Sequence, residues 1–160
     1  MNSTFIVIDI EASGLSIDSY PIEIAWLDEE GNKDSFLIIP AENWLYWDDH
    51  AEDCIHKISR DELTQKGITH LQAANRLNNA LSGKTVLSDV VRWDEFWLKQ
   101  LYSETQVSMA FRCEDIYSML PIDDDENYDR ILKETQEMQR PHRALADCIN
   151  IMKVWKNTLL

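Results

Sequence analysis

The sequence predicts one α/β domain built on a mixed, five-stranded sheet flanked by helices. Three observations lead there. The first forty residues fall into three strand-like runs. After residue 59, helical spacing alternates with two more short strand-like segments. The 160 residues contain no repeat and no low-complexity linker, and their number suits a single domain with a real core.

The elements follow in order. Phe5 to Ile10 is apolar and β-branched, the composition of a buried strand. Pro21 to Leu27 (PIEIAWL) alternates in part and runs into the turn cluster DEEGN. Lys33 to Ile39 reads as the returning strand, stopped by Pro40, so the two make an antiparallel pair. Glu42 to Ser59 mixes tryptophans with acids and reads as an irregular connection around a short helix. Ser59 and Glu62 have capping-box spacing for a short helix that closes near Gly67. Thr69 caps a longer helix, with Leu71, Ala74, Leu77, Asn78 and Leu81 on one face and Gly83 at its end. Thr85 to Ser88 is a short strand, and Trp93, Phe96, Trp97 and Leu101 then fall at helical spacing. Gln106 to Phe111 reads as the fifth strand, followed by a helical stretch around Asp115 to Leu120. The acidic run Asp123 to Asn127 is a solvated loop or helix start, with a helix from Asn127 to about Met138. A last helix covers Arg143 to Leu159, with Leu145, Cys148, Met152 and Trp155 at helical spacing behind Pro141.

Bulk properties narrow the function classes. No apolar run is long enough to span a bilayer, and the first residues carry no basic n-region, so no membrane partner is expected and a cytoplasmic location is. Cys54, Cys113 and Cys148 are odd in number and widely spaced, which fits free thiols in a reducing compartment. His50, Cys54 and His56 lack a fourth ligand at zinc-site spacing. Fifteen basic against 29 acidic residues give a formal charge of −14. At long range that charge repels nucleic acid, so any such partner must be attracted locally.

Three groups of residues carry chemistry. In FIVIDIEASGL, Asp9 and Glu11 lie two apart on a strand and so share a face. Two close carboxylates repel and resist desolvation, a cost offset when they share a divalent cation. Oxygen donors favour magnesium or manganese. Equally, the two acids can mark an exposed strand end. In SDVVRWDEFWLKQL, Asp94 and Asp89 can each reach the same site, and Asp94 is also placed as a first-turn acid favoured by the helix dipole. In PHRALADC, His142 at a helix threshold can accept a proton from an attacking water while Asp147 approaches from one turn further in. Read without a ligand, these two are a surface histidine and a solvated aspartate.

The ordered set FIVIDIEASGL, WDEFWL and HRALAD resembles the DEDDh, or DnaQ-like, 3′–5′ exonuclease family, which includes proofreading exonucleases, ribonuclease T and oligoribonuclease. The segments CIHKIS around His56 and PIEIA around Glu23 are similar to further family segments. The chain departs from the pattern in two places. Asp89 and Val90 stand where many relatives carry His-Asn, and Ala12 stands where threonine is common. Within this register Asp94, rather than Asp89, is the family's aromatic-aspartate.

The resemblance implies a ribonuclease H-like fold, with residues 1–160 forming one exonuclease domain. It also implies a reaction, the release of nucleoside 5′-monophosphates from the 3′ end of single-stranded RNA or DNA. Two divalent ions, Mg²⁺ or Mn²⁺, would sit roughly 4 Å apart. Asp9, Glu11, Asp94 and Asp147 would hold them, with His142 as general base. Ala12, Ser13, Gly14 and Leu15, together with His56, would meet the terminal nucleotide, and a homodimer is compatible with the reading. Two rivals share the fold: a nucleic-acid or protein binding module without catalysis, and a polymerase-associated proofreading subunit. A dehalogenase-type phosphatase would need aspartate where Glu11 stands.

Overall fold

The computed structural model describes residues 5–120 and 125–159. Its centre is β1 (Ile6–Ala12), whose seven residues are all buried, as the β-branched run predicts. A central strand is covered on both faces, and β1 is. Ile6, Ile8 and Ile10 point into one apolar cluster, and Val7 into the other.

β2 (Pro21–Asp28) runs antiparallel to β1 with Glu11 opposite Glu23, and a bulge falls between Glu11 and Ala12. β3 (Lys33–Leu37) pairs antiparallel with β2. It ends two residues before the predicted Ile39; Ile38 still donates to Ile22 of β2 but also bridges Ile68, and the Ile39 N–H turns to the Ile68 carbonyl. A single wide helical turn, Ala51–His56, interrupts the tryptophan-rich connection. α1 (Arg60–Lys66) is capped by the Ser59 hydroxyl, which accepts from the Glu62 N–H. α2 (His70–Leu81) opens on a full capping box between Thr69 and Gln72. Its buried face is Ala73, Ala74, Leu77 and Leu81, while the predicted Leu71 is exposed.

β4 (Thr85–Ser88) pairs parallel with β1, and α3 (Val91–Ser103) follows it. The fifth strand corrects the sequence reading. β5 is Arg112–Asp115, parallel to β4, whereas 106–111 is irregular. A short 3₁₀ turn, Ile116–Met119, comes next. α4 (Asp125–Glu137) starts within the predicted acidic run, of which Asp123 and Asp124 lie outside the described residues. α5 (Ala144–Leu159) closes the order.

The sheet order is β3-β2-β1-β4-β5. α5 packs on β1 and β2 with Ala144, Cys148, Ile151, Met152 and Trp155 buried against Val7, Ala25 and Leu27. α2 and α3 cover the opposite face. Both β1 and β4 therefore deliver their C-terminal ends to one edge, between α3 and the start of α5. No helix among the described residues is long and apolar enough to cross a membrane.

Candidate functional site

That edge holds a cavity of about 380 Å³. Asp9 and Glu11 reach it from β1, Asp94 from the first turn of α3, His142 from the loop before α5, and Asp147 from the first turn of α5. All four acids are buried, with exposures of 7, 8, 3 and 1% for Asp9, Glu11, Asp94 and Asp147. Each is put there by local structure. Alternation on β1 turns Asp9 and Glu11 to the α5 face. The Ser88 hydroxyl, at the end of β4, accepts from the Val90 N–H at 2.9 Å and donates to Asp94 Oδ2 at 2.6 Å. This fixes the carboxylate as α3 begins.

The start of α5 is held just as firmly. Glu23 on β2 is buried and accepts from the Ala144 N–H at 2.9 Å, and from Arg143 Nη2 at 2.9 Å and Nε at 3.1 Å. The helix thus begins on a side chain of the sheet. Immediately before the clasp, His142 has φ 53°, a left-handed conformation unusual for a residue with a Cβ.

Burial and mutual repulsion weaken the acids. Desolvation, then Asp94, Glu11 and Asp147, push the Asp9 carboxyl well above its ordinary range. Burial pushes Glu11 up to about 8, helped by the charges of Asp147, Glu23 and Asp94. Burial also lifts Asp94 to about 8 against the opposing hydrogen bond from Ser88. Asp147 is raised by burial, with Arg140 and His142 resisting.

These groups fit a divalent cation. Glu11, His142 and Asp147 each bring one donor atom within 4.8 Å of the others. Asp9 Oδ2 and Asp147 Oδ1 are buried with no hydrogen-bond partner among the described residues. Buried carboxylate oxygens without a donor are costly, and a hard cation satisfies them.

The neighbouring loop residues divide. Ala12, Gly14, Leu15 and His56 line the cavity. Ser13 does not; it is fully buried and ties the loop together, accepting from Tyr20 N–H through its hydroxyl and from Asp48 N–H through its carbonyl. His56 Nδ1 accepts from the Ile58 N–H, which leaves Nε2 as its N–H donor, buried and unpartnered at the cavity wall.

Sequence reading missed several lining residues. Trp93 and Trp97 stack with ring centroids 5.4 Å apart and line the same cavity as Asp94. Asp48, His50, Ala51 and Ile55 enter from the connection read as irregular. Arg140 also faces the cavity and is hydrogen-bonded to Asp89, so Asp89 is committed to a guanidinium. Only its position two residues before His142 could have drawn attention to Arg140.

No protein-family model matches the chain, and no curated protein matches it in sequence. Solved structures are similar in fold. E. coli exonuclease I in a zinc-bound complex with single-stranded DNA gives a TM-score of 0.72 at 18% identity, covering 98% of this chain and 40% of that one. Its complex with a dT13 oligonucleotide gives 0.71 at 17%, covering 98% and 41%. Exonuclease I from Methylocaldum szegediense gives 0.68 at 18%, covering 95% and 39%. The likeness is one of fold, the ribonuclease H-like arrangement of a mixed five-stranded sheet. The chain spans about 40% of the length of these neighbours.

Proposed function

We propose that residues 1–160 form a metal-dependent 3′–5′ exonuclease domain that acts on single-stranded nucleic acid. The carrying observation is the convergence of Asp9, Glu11, Asp94, His142 and Asp147 in one cavity. Exonuclease I, with a similar fold, is known in complexes with single-stranded DNA, which makes that polymer the first substrate to test.

In this reading Asp9, Glu11, Asp94 and Asp147 hold two divalent ions, Mg²⁺ or Mn²⁺. Bound there, the ions supply positive charge for the phosphate oxygens of the reacting group. His142 takes the proton of the attacking water. The Glu23 clasp that follows it anchors the backbone on which His142 is carried. Ala12, Gly14 and Leu15 give one wall for the terminal nucleotide, Trp93 and Trp97 another, and His56 Nε2 a donor in the same cavity. Ser13 supports the loop from behind. The products are nucleoside 5′-monophosphates. The attraction is local, which answers the charge of −14.

The test incubates 5′-labelled single-stranded DNA and RNA of matched sequence with the protein and Mn²⁺. Stepwise shortening from the 3′ end is expected, and His142→Ala should slow it by roughly 10²–10⁴. No shortening of either strand with any divalent metal overturns this reading.

A further inference from the structure

The cavity wall contains one cation that the reaction described above does not use. Arg140 lies in the loop between α4 and α5, and among the described residues it is the one arginine or lysine lining the cavity. Around it stand Asp9, Glu11, Asp94 and Asp147. A free guanidinium in such company should fall onto the acids and fill the space a metal needs. It is paired with a fifth acid instead. Nη2 of Arg140 donates to Oδ2 of Asp89, whose side chain is 1% exposed, while the Arg140 side chain keeps 28% of its surface accessible.

A guanidinium has five N–H donors in a planar fork, and Asp89 accepts from Nη2 alone. The remaining edge is of the kind that pairs with phosphate oxygens through two parallel bonds. A guanidinium keeps its proton at any working pH. Arg140 is thus a permanent cation at the mouth of an acidic site.

We propose that Arg140 is a phosphate-binding residue for the terminal nucleotide, and that Asp89 is the positioning residue that keeps its guanidinium off the metal-binding acids. This deepens the nuclease reading and rests on it. The two residues then have opposite signatures. Loss of Arg140 removes a ligand contact and a competing charge. Loss of Asp89 frees a cation to compete with the metal.

Calorimetry on the intact protein separates them, with Mn²⁺ alone as one probe and thymidine 5′-monophosphate in saturating Mn²⁺ as the other. Arg140→Gln should bind the nucleotide at least about tenfold more weakly, while Mn²⁺ affinity stays equal or rises. Arg140→Lys, which keeps the charge but not the fork, should fall between. Asp89→Asn should weaken Mn²⁺ binding about tenfold, and adding Arg140→Gln should restore it. Thymidine without phosphate should bind wild type and Arg140→Gln equally. Thermal unfolding confirms that each variant is folded.

If Arg140→Gln binds the nucleotide within twofold of wild type, the phosphate role is wrong. If Asp89→Asn leaves Mn²⁺ affinity unchanged, the tether is wrong. Either result in a protein that still shortens DNA from its 3′ end overturns this inference alone. A wild-type protein that binds neither probe and shortens no strand overturns the nuclease reading as well.

Discussion

Gly14 shows how one residue sets the cavity's shape. Its φ of +149° lies where side chains with a Cβ rarely go, and an added Cβ would sit 2.7 Å from Asp48 Cβ and 2.8 Å from Tyr46 Cε1. The strand β1 turns away here and the Tyr46–Asp48 segment presses against it. Gly14→Ala should therefore cost about 1–3 kcal/mol and lower Tm by several degrees. Thermal unfolding checks this, and a Tm within a degree of wild type would mean that the two loops are not in contact. Asp9 is a residue of the opposite kind. It is tolerated by the fold rather than required by it, since its Oδ2 satisfies no donor among the described residues. Such an acid is informative because packing alone would favour an apolar side chain there.

Among the elements, α5 depends most on a single partner. Its first N–H and the side chain just before it both bond to Glu23, across 121 and 120 residues of sequence. Glu23→Ala leaves the Ala144 N–H buried without an acceptor. Arg143 keeps 46% of its side chain in water, so the expected loss is modest, about 1–3 kcal/mol. Glu23→Gln should recover part of it by accepting from Ala144. Amide exchange is the sharper readout, because only the first turn of α5 should lose protection. The elements also show what the sequence could convey. β1 was legible from its apolar, β-branched run, β2, α3 and α5 from the period of their apolar residues, and the five residues that the cavity gathers from the pattern of their types and order. β5 was misplaced because it is an edge strand, Arg-Cys-Glu-Asp, held by backbone pairing to β4 without an apolar signature. The apolar residues just before it pack against the core as irregular chain, Phe111 among its buried members and Val107 and Met109 at its margin. Arg140 and, His56 apart, the lining residues of the 48–56 segment were not legible for a similar reason: a loop and a single helical turn are too short to carry a periodicity that says which side chain faces inward.

At the scale of the whole molecule, the buried acids make stability depend on pH. Glu11 and Asp94 have ordinary values of 4.5 and 3.8, and each rises to about 8 in the folded protein. Between about pH 4 and pH 8 the metal-free folded protein therefore holds protons that the unfolded chain has released. Stability must fall as pH rises through that window. In EDTA, Tm should be higher at pH 5.5 than at pH 8, by an amount on the order of 2–5 kcal/mol in stability. Saturating Mn²⁺ should close the gap at pH 8, because binding to the folded state alone stabilises it. A metal-free Tm that climbs with pH would contradict the burial of these acids. Their arrangement has one more consequence. Asp9 and Glu11 belong to a strand near the start of the fold, and Asp147 to the helix that completes it. On the proposed reading, an ion shared by them would work as a cross-link between the two, closing a loop of most of the chain. Chelation would then undo the structure in a set order: α5 loosens from the sheet first, while the β1–β2 ladder, held by its own hydrogen bonds, persists.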